Sequence, residues 1–550
     1  MASRSLVQSM RLNRFLMSSR CLALGAAVLF TFGAGTRARA AGSDTEDEEQ
    51  DVPIKPVGKK GHKPGPAKIE RVKKAEAPKA EARPEEDASK DAPAEDAAPE
   101  DTKEGAADED QAPPSAPAPQ KIETGPERPI SFQANGWNAS IYGFAELDIM
   151  GDSTRSFPTE GILNYTIARP NTVLGDNPAL HITARNSRVG FSAEAPVWNS
   201  IKAKAVVEMD FFGNQAPGTS QTDVFTNGTM RMRLFYLKLD TPVVDIIAGQ
   251  YHDLFAWNGG AFYPNTVAYL PVLGEVYHRN PQLRLSKTIG GPVSLQLAAA
   301  AVRPVEIDAG LPDVQAGAKL TINGWRGAAV PGASRPTVAP AALGVSFIGR
   351  HLSVNDFSST PGNPQTLNTG GVALNVFLPI IPASGNDLSG ALSVTGELTY
   401  GAGISDMYPG LTGGVGFPSL PNPNNTQVVP QYTPDIDPGI VTFDANFQLQ
   451  AVKWTGLVAN FHYHLPVADG RRLWISGTAS MVKSNNALDL TPQAGQQFTW
   501  NKGVYADGNV WIGLTPYVQM AFSAQWMQQT FGDGTTAANL RGEASFYMYF

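Results

Sequence analysis

The chain has 550 residues, 17% of them charged, with a formal net charge of −8. Residues 41–130 carry 14 basic and 23 acidic side chains against 23 and 28 in residues 131–550, so the acidity belongs mostly to the first stretch and offers nothing that would attract nucleic acid. The only cysteine, Cys21, excludes a disulfide framework and a cysteine-ligated metal site.

Residues 1–40 read as a secretory leader. Arg4, Arg11, Arg14 and Arg20 precede an apolar run from Cys21 to Phe32, and Ala38-Arg39-Ala40 provides a small-residue cleavage site. The run is too short to span a bilayer as a helix. Ser18, Ser19 and Arg20 are the wrong neighbours for lipid attachment at Cys21, and cleavage after Ala40 would remove that cysteine.

Residues 41–130 are built of Ala, Pro, Glu, Asp and Lys, and a segment so poor in apolar bulk cannot offset its ordering entropy. The expectation is a disordered periplasmic linker with a reach of about 50 Å. Its cationic cluster (Lys59, Lys60, Lys63, Lys68, Arg71, Lys73, Lys74) precedes an acidic stretch from Glu81 to Asp110. It either touches peptidoglycan or a periplasmic protein, or is a solvated spacer.

From residue 139 the pattern changes to strands separated by alternately short and long connections, and no helical period persists. In Ile201–Phe212, Ile201, Ala203, Ala205, Val207, Met209 and Phe211 share one face, while Lys202, Lys204, Glu208 and Asp210 share the other. The motif repeats at Tyr142–Met150, Arg185–Glu194, Val372–Leu378, Ala391–Tyr400, Leu457–Leu465, Leu473–Met481, Val504–Ile512 and Val518–Trp526. Such segments can cross a bilayer as tilted strands of about 9–11 residues. An open sheet cannot survive in lipid, so the expected fold is all-β: a closed transmembrane antiparallel β-barrel over residues 131–550. A one-residue slip of Ile201–Phe212 would turn its charges to lipid at up to about 2–4 kcal/mol each, so register is strongly specified.

Short connections fall near 195–199, 240–243, 289–291, 380–387, 466–471 and 514–515. Long ones fall near 150–183, 213–229, 254–275, 303–312, 352–367, 402–453, 484–499 and 531–537; the connection around 323–340 stands among the short ones but is longer and fits less well. The count is 16 strands if Gly439–Val452 is an excursion within a long external loop, with 18 as the alternative. Trp454, Trp500, Trp511, Trp526, Tyr517 and Tyr549 lie near strand ends, where interfacial aromatic girdles sit. In the last strand Leu540, Gly542, Ala544, Phe546, Met548 and Phe550 alternate strictly with Arg541, Glu543, Ser545, Tyr547 and Tyr549.

That final strand resembles the insertion signal of bacterial outer-membrane barrels, with Phe546, Met548 and Phe550 as its apolar positions. The resemblance implies the barrel assembly machinery and outer-membrane lipid as partners. Further stretches are Ile141-Tyr142-Gly143-Phe144, Ser187-Arg188-Val189-Gly190-Phe191, Lys202-Ala203-Lys204 running to Asp210-Phe211-Phe212-Gly213, and Arg231-Met232-Arg233 with Ala248-Gly249-Gln250. Asn280-Pro281-Gln282-Leu283-Arg284, Trp474-Ile475-Ser476 and Lys483-Ser484-Asn485-Asn486 add to them. In this order they resemble bacterial porins, and most closely the DcaP-like porins. That family implies a homotrimeric 16-stranded channel in the outer membrane, in some members with an N-terminal coiled coil; residues 41–130 show no heptads and depart from it.

On polar faces that line water, Arg185, Arg188, Arg231, Arg233, Arg279 and Arg284 would form a basic wall and Glu146, Asp148, Glu208 and Asp210 an acidic one. Separated charges of this kind set up a transverse field across a narrow pore. The competing reading pairs the arginines with neighbouring carboxylates to hold the wall together. The connection from Leu254 to Glu275, with Asn258, Tyr263 and Glu275, stands where general porins fold a loop inward as the constriction. The expected function is passive diffusion of small hydrophilic solutes and ions, favouring anions through the arginines. The alternative is an outer-membrane anchor whose tail tethers the envelope.

No phosphate loop or Gly-x-Ser-x-Gly elbow is present, so no enzyme and no cofactor are expected. His462 and His464 share one strand face without a third ligand nearby and read as polar lumen residues. Asp435 and Asp437, in a loop with Asn422, Asn424 and Asn425, lack EF-hand spacing and read as solvated. A lipid hydrolase would need a Ser–His pair on the lipid face, whereas both histidines fall on the opposite one.

Overall fold

The computed structural model describes residues 130–157, 166–213, 228–267, 272–305, 309–355, 364–408 and 436–550. The leader, the acidic linker and with it the tethering alternative lie outside those residues, as do Asp435, Asn422, Asn424 and Asn425.

The wall runs in chain order as β1 (Trp137–Asp152), β2 in two halves (Ala179–Thr183 and Arg188–Glu194), β3 (Lys202–Asp210), β4 (Arg231–Asp240), β5 (Asp245–His252), β6 (Arg279–Gly290), β7 (Val293–Val302) and β8 (Asp313–Ala329). It continues as β9 (Thr337–Asn355), β10 (Pro364–Ile381), β11 (Leu392–Ala402), β12 (Lys453–His464), β13 (Leu473–Ser484), β14 (Trp500–Gly513), β15 (Val518–Phe531) and β16 (Thr536–Tyr549). Each strand pairs antiparallel with the next, and β16 returns to β1 in a register from Phe144↔Tyr549 to Asp152↔Arg541. The sheet is therefore closed and has no free edge.

Of the 18 segments in this sheet, one is a lead-in strand (Ile130–Ala134) and two are the halves of β2, which leaves a barrel of 16 strands. The lead-in folds back on β1 through Asn135-Gly136, both at positive φ (51° and 79°) as a tight hairpin turn demands. Within Gly439–Val452, Val441–Phe443 and Leu449–Ala451 pair only with each other, so this stretch is an excursion and not a wall strand.

Alternation decides which side of each strand meets which medium. On β16, Leu540, Phe546 and Met548 are exposed, while Arg541, Glu543 and Ser545 are buried inside. Leu147, Ile149, Phe235, Leu283, Leu343 and Leu398 extend the outward apolar band around the wall. A soluble domain rarely exposes so continuous an apolar surface, whereas a lipid-facing barrel requires it.

The aromatic girdle is smaller than the sequence suggests. Trp526 and Tyr517 are exposed, but Trp454, Trp500, Trp511 and Tyr549 are buried on the inner face. Parity explains this, since Trp511 shares its side of β14 with Asp507 and Asn509, and Trp454 shares its side of β12 with Asn460 and His462. Stacked rings run from His464 to Trp474, Trp511, Tyr547 and Tyr549, with centroids 5.6–6.2 Å apart.

The long connection at 323–340 is no loop. A register shift between Ile322 and Arg326 bends β8, after which Arg326–Ala329 pairs with Thr337–Pro340 and with no other strand. This arm leaves the wall and enters the barrel.

Candidate functional site: an arginine cluster beside an inward loop

The connection between β5 and β6 is laid across the inside of the barrel. The Leu254 and Phe255 amides donate to Gln315 Oε1 on β8 (2.7 and 2.9 Å), and the Ala256 amide donates to Ser346 Oγ on β9 (2.7 Å). Trp257 Nε1 donates to the Val345 carbonyl at 3.0 Å. The Trp257 ring fills a notch left by two glycines: a Cβ on Gly344 would stand 2.6 Å from it and one on Gly317 3.1 Å. Lys319 caps the ring at 5.0 Å. Ala256 and Trp257 have φ of 60° and 44°, left-handed values that cost about 1–3 kcal/mol each unless the surroundings hold them. Those wall contacts hold them.

Farther along, the Asn265 amide donates to Asn460 Oδ1 on β12 (3.0 Å), Trp474 Nε1 on β13 donates to Asn265 Oδ1 (3.1 Å), and Thr266 Oγ1 donates to Asp507 Oδ2 on β14 (2.5 Å). On the return leg Gly274 presses on Gly456 of β12, where a Cβ would meet the Gly274 carbonyl at 2.5 Å, and the Val276 amide donates to Glu397 Oε1 on β11 (2.7 Å). Asn258 ties the two legs, donating through Nδ2 to the Val276 carbonyl (2.8 Å). Glu275 is buried at the return turn and accepts from the Val272 amide (3.2 Å). Tyr263 lies with its ring centroid 5.3 Å from that of Tyr277.

Beside Tyr277 the guanidinium groups gather. Arg231 makes a two-pronged pair with Asp210 (3.0 and 2.7 Å). Arg233 donates to Glu208 (2.8 Å), to Asp210 (3.0 Å) and to the Tyr277 hydroxyl (2.9 Å). Arg188 approaches Glu208 at 3.5 Å, and Arg279 covers the Tyr277 ring at 5.1 Å. Three guanidinium groups thus share two carboxylates while a fourth, that of Arg279, pairs with neither, and Arg231 and Arg188 keep 34% and 25% of their side chains exposed. The cluster carries a net positive charge that water can reach.

No family model and no curated protein sequence matches the chain. Among solved structures, the outer membrane channel DcaP of Acinetobacter baumannii superposes with a TM-score of 0.54 at 15% identity, covering 76% of this chain and 99% of that one. The fold is that of an outer-membrane porin. The anion-selective porin from Comamonas acidovorans gives 0.43 at 7% identity (75% of this chain, 100% of that one). OmpT of Vibrio cholerae in its trimer form gives 0.40 at 11% (76% and 100%).

Within this porin barrel the predicted charges are arranged differently from two separated walls. Glu208 and Asp210 are the arginines' own partners. A second carboxyl group of residues lies on β1 and β16: Glu146 accepts from Asn186 (2.7 Å), Asp148 from Ser545 (2.5 Å) and Glu543 from Gln525 (2.5 Å). Arg185 sits in the break of β2, donates to the Phe211 carbonyl (2.8 Å) and shares the Phe212 ring with Arg231, the two guanidinium groups lying 5.4 and 5.3 Å from its centroid. Arg279 and Arg284 have opposite parity on β6. Arg284 shares the inner side with Gln282 and lies over Tyr251 at 5.2 Å, whereas Arg279, the strand's first residue, joins the cluster through Tyr277.

Phe546 and Met548 face outward, and the Phe550 amide donates to the Gly143 carbonyl at 3.0 Å, which fastens the terminus to β1. His462 and His464 are buried, bonded to the Ala328 and Gly470 carbonyls (2.8 and 2.6 Å). Asp437 lines a small cavity with Arg303 and Arg350, cationic company for a calcium ligand. Among the described residues no three His, Cys, Asp or Glu side chains group to hold a metal.

Sequence reasoning missed Tyr277, Glu543 and Arg350, whose guanidinium joins Asp313 (2.9 Å) to Asp406 (2.6 Å). Glu543 was legible from the alternation of β16. Tyr277 stands in a connection, where no period marks a face.

Proposed function

We propose that the chain is an outer-membrane channel for the passive diffusion of small hydrophilic solutes, and that its arginine cluster favours anions carrying carboxylate or phosphate. The single observation that supports this most is the excess of guanidinium over carboxylate around Tyr277, next to a loop drawn into the lumen. A planar guanidinium matches both oxygens of such anions, and a field focused by low-dielectric walls acts on solutes before they touch. In their ionised form Glu146, Asp148 and Glu543 would supply the opposite pole and orient dipolar solutes as they pass. The barrel works as a homotrimer in this reading, which chemical cross-linking of the purified protein would reveal.

Reversal potentials in a potassium chloride gradient test the selectivity. The native channel should prefer chloride, and Arg231→Ala with Arg279→Ala should cut the anion-to-cation permeability ratio at least about twofold. An unchanged ratio in a folded variant would remove the cluster from the filter.

A further inference from the structure

The arm that β8 and β9 send into the barrel crosses most of its width. Near its base the Arg326 carbonyl accepts from the Ala383 amide at 3.0 Å, beyond β10. At Ala328 the carbonyl accepts from Ser393 Oγ on β11 (2.7 Å) and bonds His462 Nε2 on β12 (2.8 Å). Ala329 and Ala339 pack with Leu254, Trp257 and Phe262 of the inward loop, and Val330 packs with Trp474, Trp511 and Tyr547. The tip touches the loop directly: the Gly332 amide donates to the Pro264 carbonyl (3.0 Å), and Asn265 Nδ2 donates to the Gly332 carbonyl (2.7 Å). It ends on the far wall, where the Ala333 carbonyl accepts from Gln519 on β15 (3.2 Å) and from the Tyr549 hydroxyl on β16.

The arm emerges at the same barrel end as the other short connections, opposite to the origin of the β5–β6 loop. Two segments therefore enter the lumen from opposite ends and meet at Gly332, Pro264 and Asn265. The arm is made of small residues, Gly327-Ala328-Ala329-Val330-Pro331-Gly332-Ala333, so it lies close against whatever it crosses.

We propose that this arm is a second constriction, in series with the β5–β6 loop, that limits solute size from the periplasmic end. The proposal rests on the channel reading above. A solute that clears the loop meets the arm next, and the passage left to it is the side of the barrel that neither segment covers.

The test replaces Gly327–Ala339 by an Asn-Gly turn joining Arg326 to Pro340, in the full chain, with folding checked by heat-modifiable gel mobility. Single-channel conductance should rise at least about twofold, and liposome swelling should admit larger sugars than the native protein does. A folded variant with native conductance and native size limit overturns the proposal. Should the shortened protein not fold, single cysteines at Pro331, Ala333 and Ser334 keep the arm intact in a chain whose native cysteine is Cys21 alone. A bulky thiol reagent should lower the current at one or more of these positions, and no change at all three overturns the proposal equally. A native protein that inserts and passes no current sinks the channel reading itself and takes this one with it, a result distinct from a conducting native channel that ignores its arm.

Discussion

Arg233 is almost fully buried and is held by Glu208, Asp210 and the Tyr277 hydroxyl. A buried pair adds little net stability over apolar residues of equal volume, but removing one partner strands a charge at about 3–5 kcal/mol. Glu208→Ala should therefore lower the unfolding free energy read from urea titration of the refolded barrel by that order, because Arg233 and Arg188 both lose a carboxylate. Arg279→Ala, by contrast, forfeits a contact over Tyr277 and no ion pair among the described residues, so stability should change by about 1 kcal/mol or less while ion selectivity moves. A matched pair of urea titrations separates the two, and equal losses would mean that Arg279 also holds the wall. The inner and outer sides of these strands were legible in sequence wherever charge and apolar residues alternate, as on β3 and β16. Partnerships were not, because which carboxylate meets which arginine depends on the register between two strands, and Glu208 sits at a register shift.

The β5–β6 loop was expected to fold inward from its ordinal place in general porins; the wall side chains that anchor it, Gln315, Ser346, Asn460 and Glu397, could not be read. Trp257 is held by Gly317 and Gly344, two glycines on strands that follow it in the chain, and nothing local to Asn258-Gly259-Gly260 announces them. Trp257→Ala should free the first leg of the loop, since deleting a buried tryptophan costs about 3–5 kcal/mol. The expected readout is a noisier open channel with higher mean conductance, and a quiet native-like trace would show that Asn265 and Gly274 hold the loop unaided. The arm of β8 and β9 was the least legible element. Its small residues, with Pro331, Gly332 and Pro336, carry the signals of a turn, and only its length hinted at another role. The bend at Asn323–Trp325 and the absence of pairing to β7 or β10 beyond it are tertiary facts.

At the scale of the whole molecule the closed sheet follows from one physical demand, that every backbone donor and acceptor at membrane depth find a partner inside the protein. The pairing of β16 with β1 meets it, and the alternation that places Leu540, Phe546 and Met548 outside places Arg541 and Glu543 inside. Fold class was legible because this alternation repeats in strand after strand; the choice of 16 over 18 hung on Gly439–Val452, and the pairing of Val441–Phe443 with Leu449–Ala451, apart from the wall, decides it. Two segments cross the lumen from opposite ends, with the arginine cluster beside one of them, and the proposed channel is tested where they meet. The most direct measurement is the current through single copies of the full protein, purified and inserted in a planar lipid bilayer. Discrete, ohmic steps in potassium chloride, with a reversal potential on the chloride side, are expected. A protein that is heat-modifiable, inserted and electrically silent would contradict the channel.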